Sequence, residues 1–117
     1  MKLESAEYLH KVYKTIIKGW GSPEHQAQAF ADAILAGDLL GKDMQGMGIA
    51  MIDHLMMQHD QINMTAEPTV EQDNNNYLVI NGNRGLGQYI MTDAMHRVIE
   101  KAKQHTFGIG LVHNWHD

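Results

Sequence analysis

The last five residues of the chain hold its densest set of groups that could do chemistry. They are His113, Asn114, Trp115, His116 and Asp117. They follow an apolar run that predicts a short strand, and α/β proteins often place active sites at strand ends. Two imidazoles and a carboxylate could also bind a metal. Alternation along a strand would put His113 and Asp117 on one face and His116 on the other, so we expect a solvated strand end rather than a metal site.

A glycine-rich segment, residues 81–87, lies between a predicted strand and a long predicted helix. The free backbone N–H groups of such a loop can bind a phosphate at a helix N-terminus. The spacing of Gly82, Gly85 and Gly87 matches neither the dinucleotide-binding fingerprint nor a P-loop. We therefore expect a plain strand-to-helix turn, and phosphate binding is the alternative.

Two further groups of residues, the acids and histidines at 53–60 and the methionines at 44–64, could serve either the fold or a function. Asp53, His54, His59 and Asp60 lie on a predicted helix, with the two carboxylates two turns apart, so we expect a solvated face. Methionine is frequent between residues 44 and 64, where it would fill irregular gaps in the core or form a subunit contact.

The elements that must position these groups follow from capping and periodicity. Ser5 is a predicted N-cap for a helix that ends at residues 19–21. Residues 22–24, Ser-Pro-Glu, predict an N-cap at Ser22 and a second helix ending near Gly41. A glycine-punctuated connector, residues 41–48, then leads to a third helix at 49–59.

The second half predicts strands at 77–80 and 107–112, with a further short strand at 69–71. The long helix between the first two carries one apolar face, which we expect to be buried; its residues are Ile90, Ala94, Met95, Val98, Ile99 and Ala102. Gly108 and Gly110 would let another element approach the last strand closely. These elements predict a mixed α/β fold in one domain, 1–117, helical over 1–62 and strand-turn-helix-strand over 63–117.

Composition limits the class of protein. The net charge of −5 and the lack of a basic stripe argue against a nucleic-acid partner. No apolar run approaches the roughly 20 residues that span a bilayer, so no membrane partner is expected. The chain has no cysteine, which excludes disulfides and thiolate sites and fits a reducing cytoplasm.

Four segments, taken in order, resemble the N-terminal part of the type 2 malate/L-lactate dehydrogenase family, which is not the Rossmann lactate dehydrogenase family. Residues 31–48 resemble its helix followed by Gly-His-Asp-Ser-His-Gly, and residues 81–88 resemble its Gly-x-x-x-x-Gly-Gln turn. Residues 94–105 resemble the next helix. Residues 112–117, VHNWHD, resemble its Val-Arg/His-Asn-Ser-Asn/His-His strand end.

The resemblance implies a homodimeric oxidoreductase that transfers hydride between NAD or NADP and a 2-hydroxy or 2-keto acid. It implies that most of the cofactor domain, which is not of the Rossmann type, follows residue 117. Its motifs imply a cofactor contact at Gly85, Gly87 and Gln88, and substrate contacts at Met44, Gln45 and Asn114.

The chain departs from the family pattern at the catalytic positions. Asp117 aligns with the acid/base histidine, and His116 precedes it. Met44 and Gln45 replace the Ser-His pair, and Ile49 stands where many members carry a substrate-contacting arginine. Holding Asp117 protonated at neutral pH, from an ordinary pKa of about 3.9, costs on the order of 4 kcal/mol unless burial raises the pKa. His116 could act instead if a bulge turned it inward.

Three hypotheses follow. The first is a fragment or truncated member of such a dehydrogenase, with Gln45, His116 and Asp117 at its catalytic positions, inactive alone. The second is a non-catalytic descendant that keeps the fold and the dimer surface. The third is a small metal or ligand binder that uses His113, His116 and Asp117. Truncation would leave the strand at 107–112 with an unpaired edge and exposed apolar surface, which favours self-association.

Overall fold

A computed structural model describes residues 2–116 of the chain. It has a mixed α/β fold, as the sequence predicts, with a helical first half and a three-stranded sheet in the second. The elements, in chain order, are α1 (Ala6–Gly19), α2 (Glu24–Leu39), α3 (Met47–Gln58), β1 (Thr69–Asp73), β2 (Tyr77–Leu86), α4 (Gly87–His105) and β3 (Ile109–His116).

The helix starts test the capping predictions. Ser5 caps α1 as predicted, because its hydroxyl accepts a hydrogen bond from the Tyr8 backbone N–H at 3.1 Å. The prediction of Ser22 as the cap of α2 is wrong. Pro23 holds the N-cap position without a side-chain hydrogen bond, and the Ser22 hydroxyl contacts the Pro23 carbonyl instead. The third helix begins at Met47, two residues earlier than predicted.

The main core lies among the three N-terminal helices and the end of β2. Its buried side chains are Tyr13, Ile17, Ala27, Phe30, Ala31, Ile34, Ala50, Ile62, Met64 and Leu86. A smaller core lies between the sheet and α4, where Leu78 and Ile80 of β2 pack on Ala94. Burial of these side chains at about 25 cal/mol per Å² of apolar surface is the main force that holds α4 on the sheet.

The sheet has the order β1-β2-β3, with β1 antiparallel and β3 parallel to β2. The prediction of a glycine turn at 82–87 is wrong: β2 runs on to Leu86, and the parallel register slips between Asn81 and Gly85. Asn83 and Arg84 have positive φ angles of 53° and 59° there, which makes this segment an irregular stretch within the strand.

Helix α4 covers one face of the sheet, and its exposure differs from the prediction. Ile90 and Ala94 are buried, but Met95 is 56% and Ile99 is 42% exposed, so the predicted buried stripe is wrong for these two residues. The prediction of close approach at Gly108 and Gly110 is confirmed, since a Cβ at Gly108 would lie 2.5 Å from the Val98 carbonyl oxygen and one at Gly110 would lie 2.8 Å from a Val98 methyl group.

Strand β3 lies at an edge of the sheet and extends through His116, four residues beyond the predicted strand end. Ile109 is 59% and Leu111 is 61% exposed. The expected apolar surface on an edge strand is therefore present.

Candidate functional site

The connector between α2 and α3, residues 41–46, is held by one carboxylate. Asp38 accepts a hydrogen bond from the Met47 backbone N–H at 3.0 Å and another from the Tyr13 hydroxyl at 2.5 Å. A Cβ at Gly46 would lie 1.8 Å from an Asp38 carboxylate oxygen, so glycine is required at this close approach. This one residue of α2 thus joins α1, α2 and α3 and fixes the segment that carries Met44 and Gln45.

The Tyr13 hydroxyl is perturbed by this contact. Burial, together with the hydrogen bond to the negatively charged Asp38, raises the pKa of Tyr13 to about 12. The phenol therefore stays protonated as a donor throughout the physiological pH range.

The glycines of the segment 81–87, at the end of β2 and the start of α4, pack against β3 and α4. A Cβ at Gly87 would lie 2.1 Å from the His116 carbonyl oxygen, and one at Gly82 would lie 2.8 Å from the Trp115 Cβ. A Cβ at Gly85 would meet the side chain of Ile90 at 2.9 Å. Close approach between backbone and neighbouring elements thus accounts for these glycines without a phosphate ligand.

The end of β3 carries the predicted catalytic residues. Asn114 has a positive φ of 57°, which interrupts strand alternation before Trp115 and His116. Its amide donates to the Asn81 side-chain oxygen at 2.9 Å. Trp115 and His116 are half-buried. Asp117 lies outside the described residues.

His113 points to a carboxylate on β1. Its Nε2 lies 2.8 Å from a Glu71 oxygen, and Asn81 donates to the other Glu71 oxygen at 3.1 Å. The hydrogen bond from His113, and to a smaller extent that from Asn81, holds the pKa of Glu71 below its ordinary value. Among residues 2–116, no group of three or more His, Cys, Asp or Glu side chains is arranged to hold a metal ion.

A groove of about 640 Å³ lies where the connector, α4 and β3 meet. It brings together four predicted site residues: Met44 and Gln45 from the connector, and Gly87 and Gln88 from the first turn of α4. Gly85, Asn114 and His116 do not line it, although Trp115, which separates the last two, does. The remaining lining residues are Ala33, Ile49, Met91, Thr92, Met95, His96 and Ile99.

The sequence motifs do not identify the groove residues of α4 beyond its first turn. Met91, Met95 and Ile99 recur at helical spacing, and the sequence predicts a buried face for Met95 and Ile99. The periodicity was a correct signal for an apolar stripe, but a stripe that faces an open groove has the same spacing as one that faces a core.

Behind the groove, the Gln88 amide donates to the Asp53 carboxylate at 3.2 Å and links α4 to α3. The prediction that Asp53 lies on a solvated face is wrong, because this residue is 0% exposed. His54 is half-buried and its ring lies 4.6 Å from that of Trp20, whereas His59 and Asp60 are exposed as expected. Contacts with α4 and Trp20 bury this face of α3, and the sequence of α3 alone does not indicate those contacts.

Comparison with known proteins agrees with this architecture. Malate dehydrogenase from Entamoeba histolytica superposes with a TM-score of 0.93 at 28% identity, over 99% of this chain and 32% of that one. Sulfolactate dehydrogenase from Methanocaldococcus jannaschii superposes with a TM-score of 0.89 at 28% identity, over 95% of this chain and 32% of that one. The fold is therefore that of the malate/lactate dehydrogenase-like oxidoreductases.

Sequence comparison gives the family. The chain matches the malate/L-lactate dehydrogenase family over residues 5–117, and it belongs to that family. It is 32% identical to hydroxycarboxylate dehydrogenase B of Escherichia coli K12 over 113 residues, which are 95% of this chain and 31% of that protein. It is 33% identical to L-sulfolactate dehydrogenase of Methanothermobacter thermautotrophicus over 104 residues, 87% of this chain and 29% of that protein. The chain spans about a third of the length of these relatives.

No helix within residues 2–116 is both long and apolar enough to cross a bilayer.

Proposed function

We propose that residues 1–117 form a single domain that holds the substrate in a homodimeric, NAD(P)-dependent 2-hydroxyacid dehydrogenase, and that this domain is inactive alone. The groove carries the proposal, because it joins Met44 and Gln45 of the connector to Gly87 and Gln88 of α4 beside the end of β3. Its volume is in the range of small-molecule sites.

We place the dinucleotide site mainly outside the described residues, so that Gly85, Gly87 and Gln88 remain only a predicted cofactor contact. The glycine segment is filled by β3 and Ile90, and no lysine or arginine lines the groove. The phosphates of a nicotinamide dinucleotide would therefore be held by residues outside this chain, and the cofactor would supply the hydride. The role of this chain is to bind the 2-oxo acid and to exclude water from it.

The proposed roles of the individual residues follow from their positions. Gln45 donates its amide to the substrate beside Met44, and Gln88 supports the groove from behind through Asp53. Asn114 shapes the strand end. Asp117, with His116 as the substitute, would give the proton to the carbonyl oxygen.

A chimera tests this proposal. Residues 1–117 would replace the matching first third of the E. coli relative, and NADH or NADPH oxidation with 2-oxo acids would be followed. We expect slow turnover that Asp117→His raises about a hundredfold, because a well-matched general acid contributes at least this much. Glu100→His, at an exposed carboxylate of α4, is the matched control. The proposal would be refuted by a chimera that folds and binds the cofactor, yet turns over no 2-oxo acid either with or without Asp117→His.

The exposed apolar edge strand favours a second candidate, a non-catalytic module for self-association. Ile109 and Leu111 project from β3, which has no neighbour on its outer side among the described residues. An unpaired edge with apolar side chains readily pairs with another chain. Static light scattering of the isolated chain distinguishes this candidate, which requires a dimer at micromolar concentration and no binding of 2-oxo acids.

A further inference from the structure

We propose that the groove selects 2-oxo acids with a single carboxylate and an apolar side chain, and that it discriminates against those with a second anionic group. This inference rests on the proposed function, since it names the class of substrate for the same groove. It is carried by the charge and the hydrogen-bonding capacity of the side chains that line the groove.

The groove is lined mainly by apolar side chains and contains no lysine, arginine, aspartate or glutamate. Its apolar members come from α2, the connector, α3, α4 and β3, so that a ligand would contact thioether, aliphatic and indole groups. They are Ala33, Met44, Ile49, Met91, Met95, Ile99 and Trp115. Methionine is flexible and polarisable, and it adapts to branched or extended apolar groups.

Few hydrogen-bond donors remain for an anion. The Thr92 hydroxyl already donates to the Gln88 carbonyl at 2.6 Å, and the Gln88 amide donates to Asp53. Within residues 2–116, the side chains of Gln45 and His96 make no hydrogen bond, although both line the groove. One amide and one imidazole can bind one carboxylate, but no lysine or arginine lines the groove to pair with a second anion, and an unpaired charge is strongly disfavoured in an apolar site.

Two of the three basic residues nearby are paired with carboxylates, and none of the three lines the groove. Arg97 on α4 is paired with Asp93 at 2.6 Å, and Lys101 is paired with Asp73 at 2.5 Å. Lys42 lines a neighbouring depression that shares Met44 and Gln45 with the groove, but it does not line the groove itself. A second carboxylate or a sulfonate in the groove would therefore meet methionine and isoleucine side chains where it needs a cation.

Methyl NMR of the 117-residue chain with ¹³C-labelled methionine tests this inference. The probes are 4-methyl-2-oxopentanoate and 2-oxopentanedioate, which share a five-carbon chain and differ by an apolar branch against a second carboxylate. We expect the first to shift the signals of Met44, Met91 and Met95, with at least tenfold tighter binding than the second. Met64, buried in the main core, should not move.

A charge-adding variant gives the reciprocal test. Ile49→Arg places a cation in the groove and should reverse the preference toward 2-oxopentanedioate. Ile52→Arg, on the same helix but outside the groove, is the matched control and should leave the preference unchanged.

The possible outcomes separate the two proposals. Equal or tighter binding of 2-oxopentanedioate by the unmodified chain would overturn this inference and leave the proposed function in place. If neither probe shifts any groove methionine, the groove is not a 2-oxo acid site, and both proposals fail. A preference that Ile49→Arg does not change would show that charge in the groove is not its cause, which also overturns the inference.

Discussion

Replacing Gly87 with alanine tests whether the start of α4 is fixed by contact with β3. Gly87 is the first residue of α4 and lines the groove. In a helix without close neighbours, alanine is favoured over glycine by up to about 1 kcal/mol. A simple helix-propensity argument therefore predicts that Gly87→Ala stabilises the protein.

The structure predicts the opposite result. The new Cβ would lie 2.1 Å from the His116 carbonyl oxygen and 2.8 Å from the Trp115 ring, whereas ordinary contacts begin at 3.4 Å. The last strand must therefore move by more than an ångström. Overpacking of this kind costs about 1–3 kcal/mol. After the gain in propensity is subtracted, we expect a net loss of about 1 kcal/mol in the free energy of unfolding.

Urea unfolding at 25 °C measures this change, and Gly19→Ala is the matched control. Gly19 is the last residue of α1, and no atom lies within 4 Å of its virtual Cβ, so this variant should be neutral or up to about 1 kcal/mol more stable. In Gly87→Ala, amide NMR signals of residues 113–116 should also shift. If Gly87→Ala is as stable as Gly19→Ala and leaves those signals in place, the packing of β3 on α4 is refuted.

Three further predictions follow from the polar contacts and the edge strand. Tyr13→Phe should lower the free energy of unfolding by about 1–2 kcal/mol in urea, because it removes the hydrogen bond to Asp38. Folding raises the pKa of Tyr13 from 10.0 to about 12. The Tyr13 hydroxyl should therefore cost the unmodified protein up to roughly 3 kcal/mol in the free energy of unfolding as the pH rises from 10 to 12. Unfolding of Tyr13→Phe over the same pH range should lack this contribution. His113→Ala should raise the pKa of Glu71 toward its ordinary value in an NMR titration. Leu111→Lys should abolish self-association in light scattering if β3 edges pair, and an unchanged dimer would exclude that surface.

Local sequence signals predicted the first half of the fold well. The Ser5 cap and the glycine at the end of α1 lie at the helix ends, because the groups that satisfy them are within four residues along the chain. The cap of α2 was displaced by one residue for a similar local reason, since a proline can itself occupy the N-cap position. These features require no knowledge of tertiary contacts.

The candidate site was harder to predict because it is built from distant segments. The glycines at 82–87 have the composition of a turn, yet packing of β3 and Ile90 keeps most of the segment in the strand. The buried state of Asp53 depends on a helix 35 residues away. Family motifs did identify Met44, Gln45, Gly87 and Gln88, which the fold brings to one groove. They also marked the position of Ile49, which lines the groove, but they did not identify Trp115 as part of its apolar lining.

The central claim is that this chain forms the substrate side of a hydride-transferring enzyme. The most direct test is to follow deuterium from the cofactor to the product. The chimera with the E. coli relative would be given 4-methyl-2-oxopentanoate and NADH or NADPH deuterated at the transferable C4 position. The account predicts a 2-hydroxy acid that carries deuterium at C2, detected by mass spectrometry, and much less of it in the Gln45→Ala variant. A folded chimera that binds the cofactor but yields no deuterated product would contradict the account.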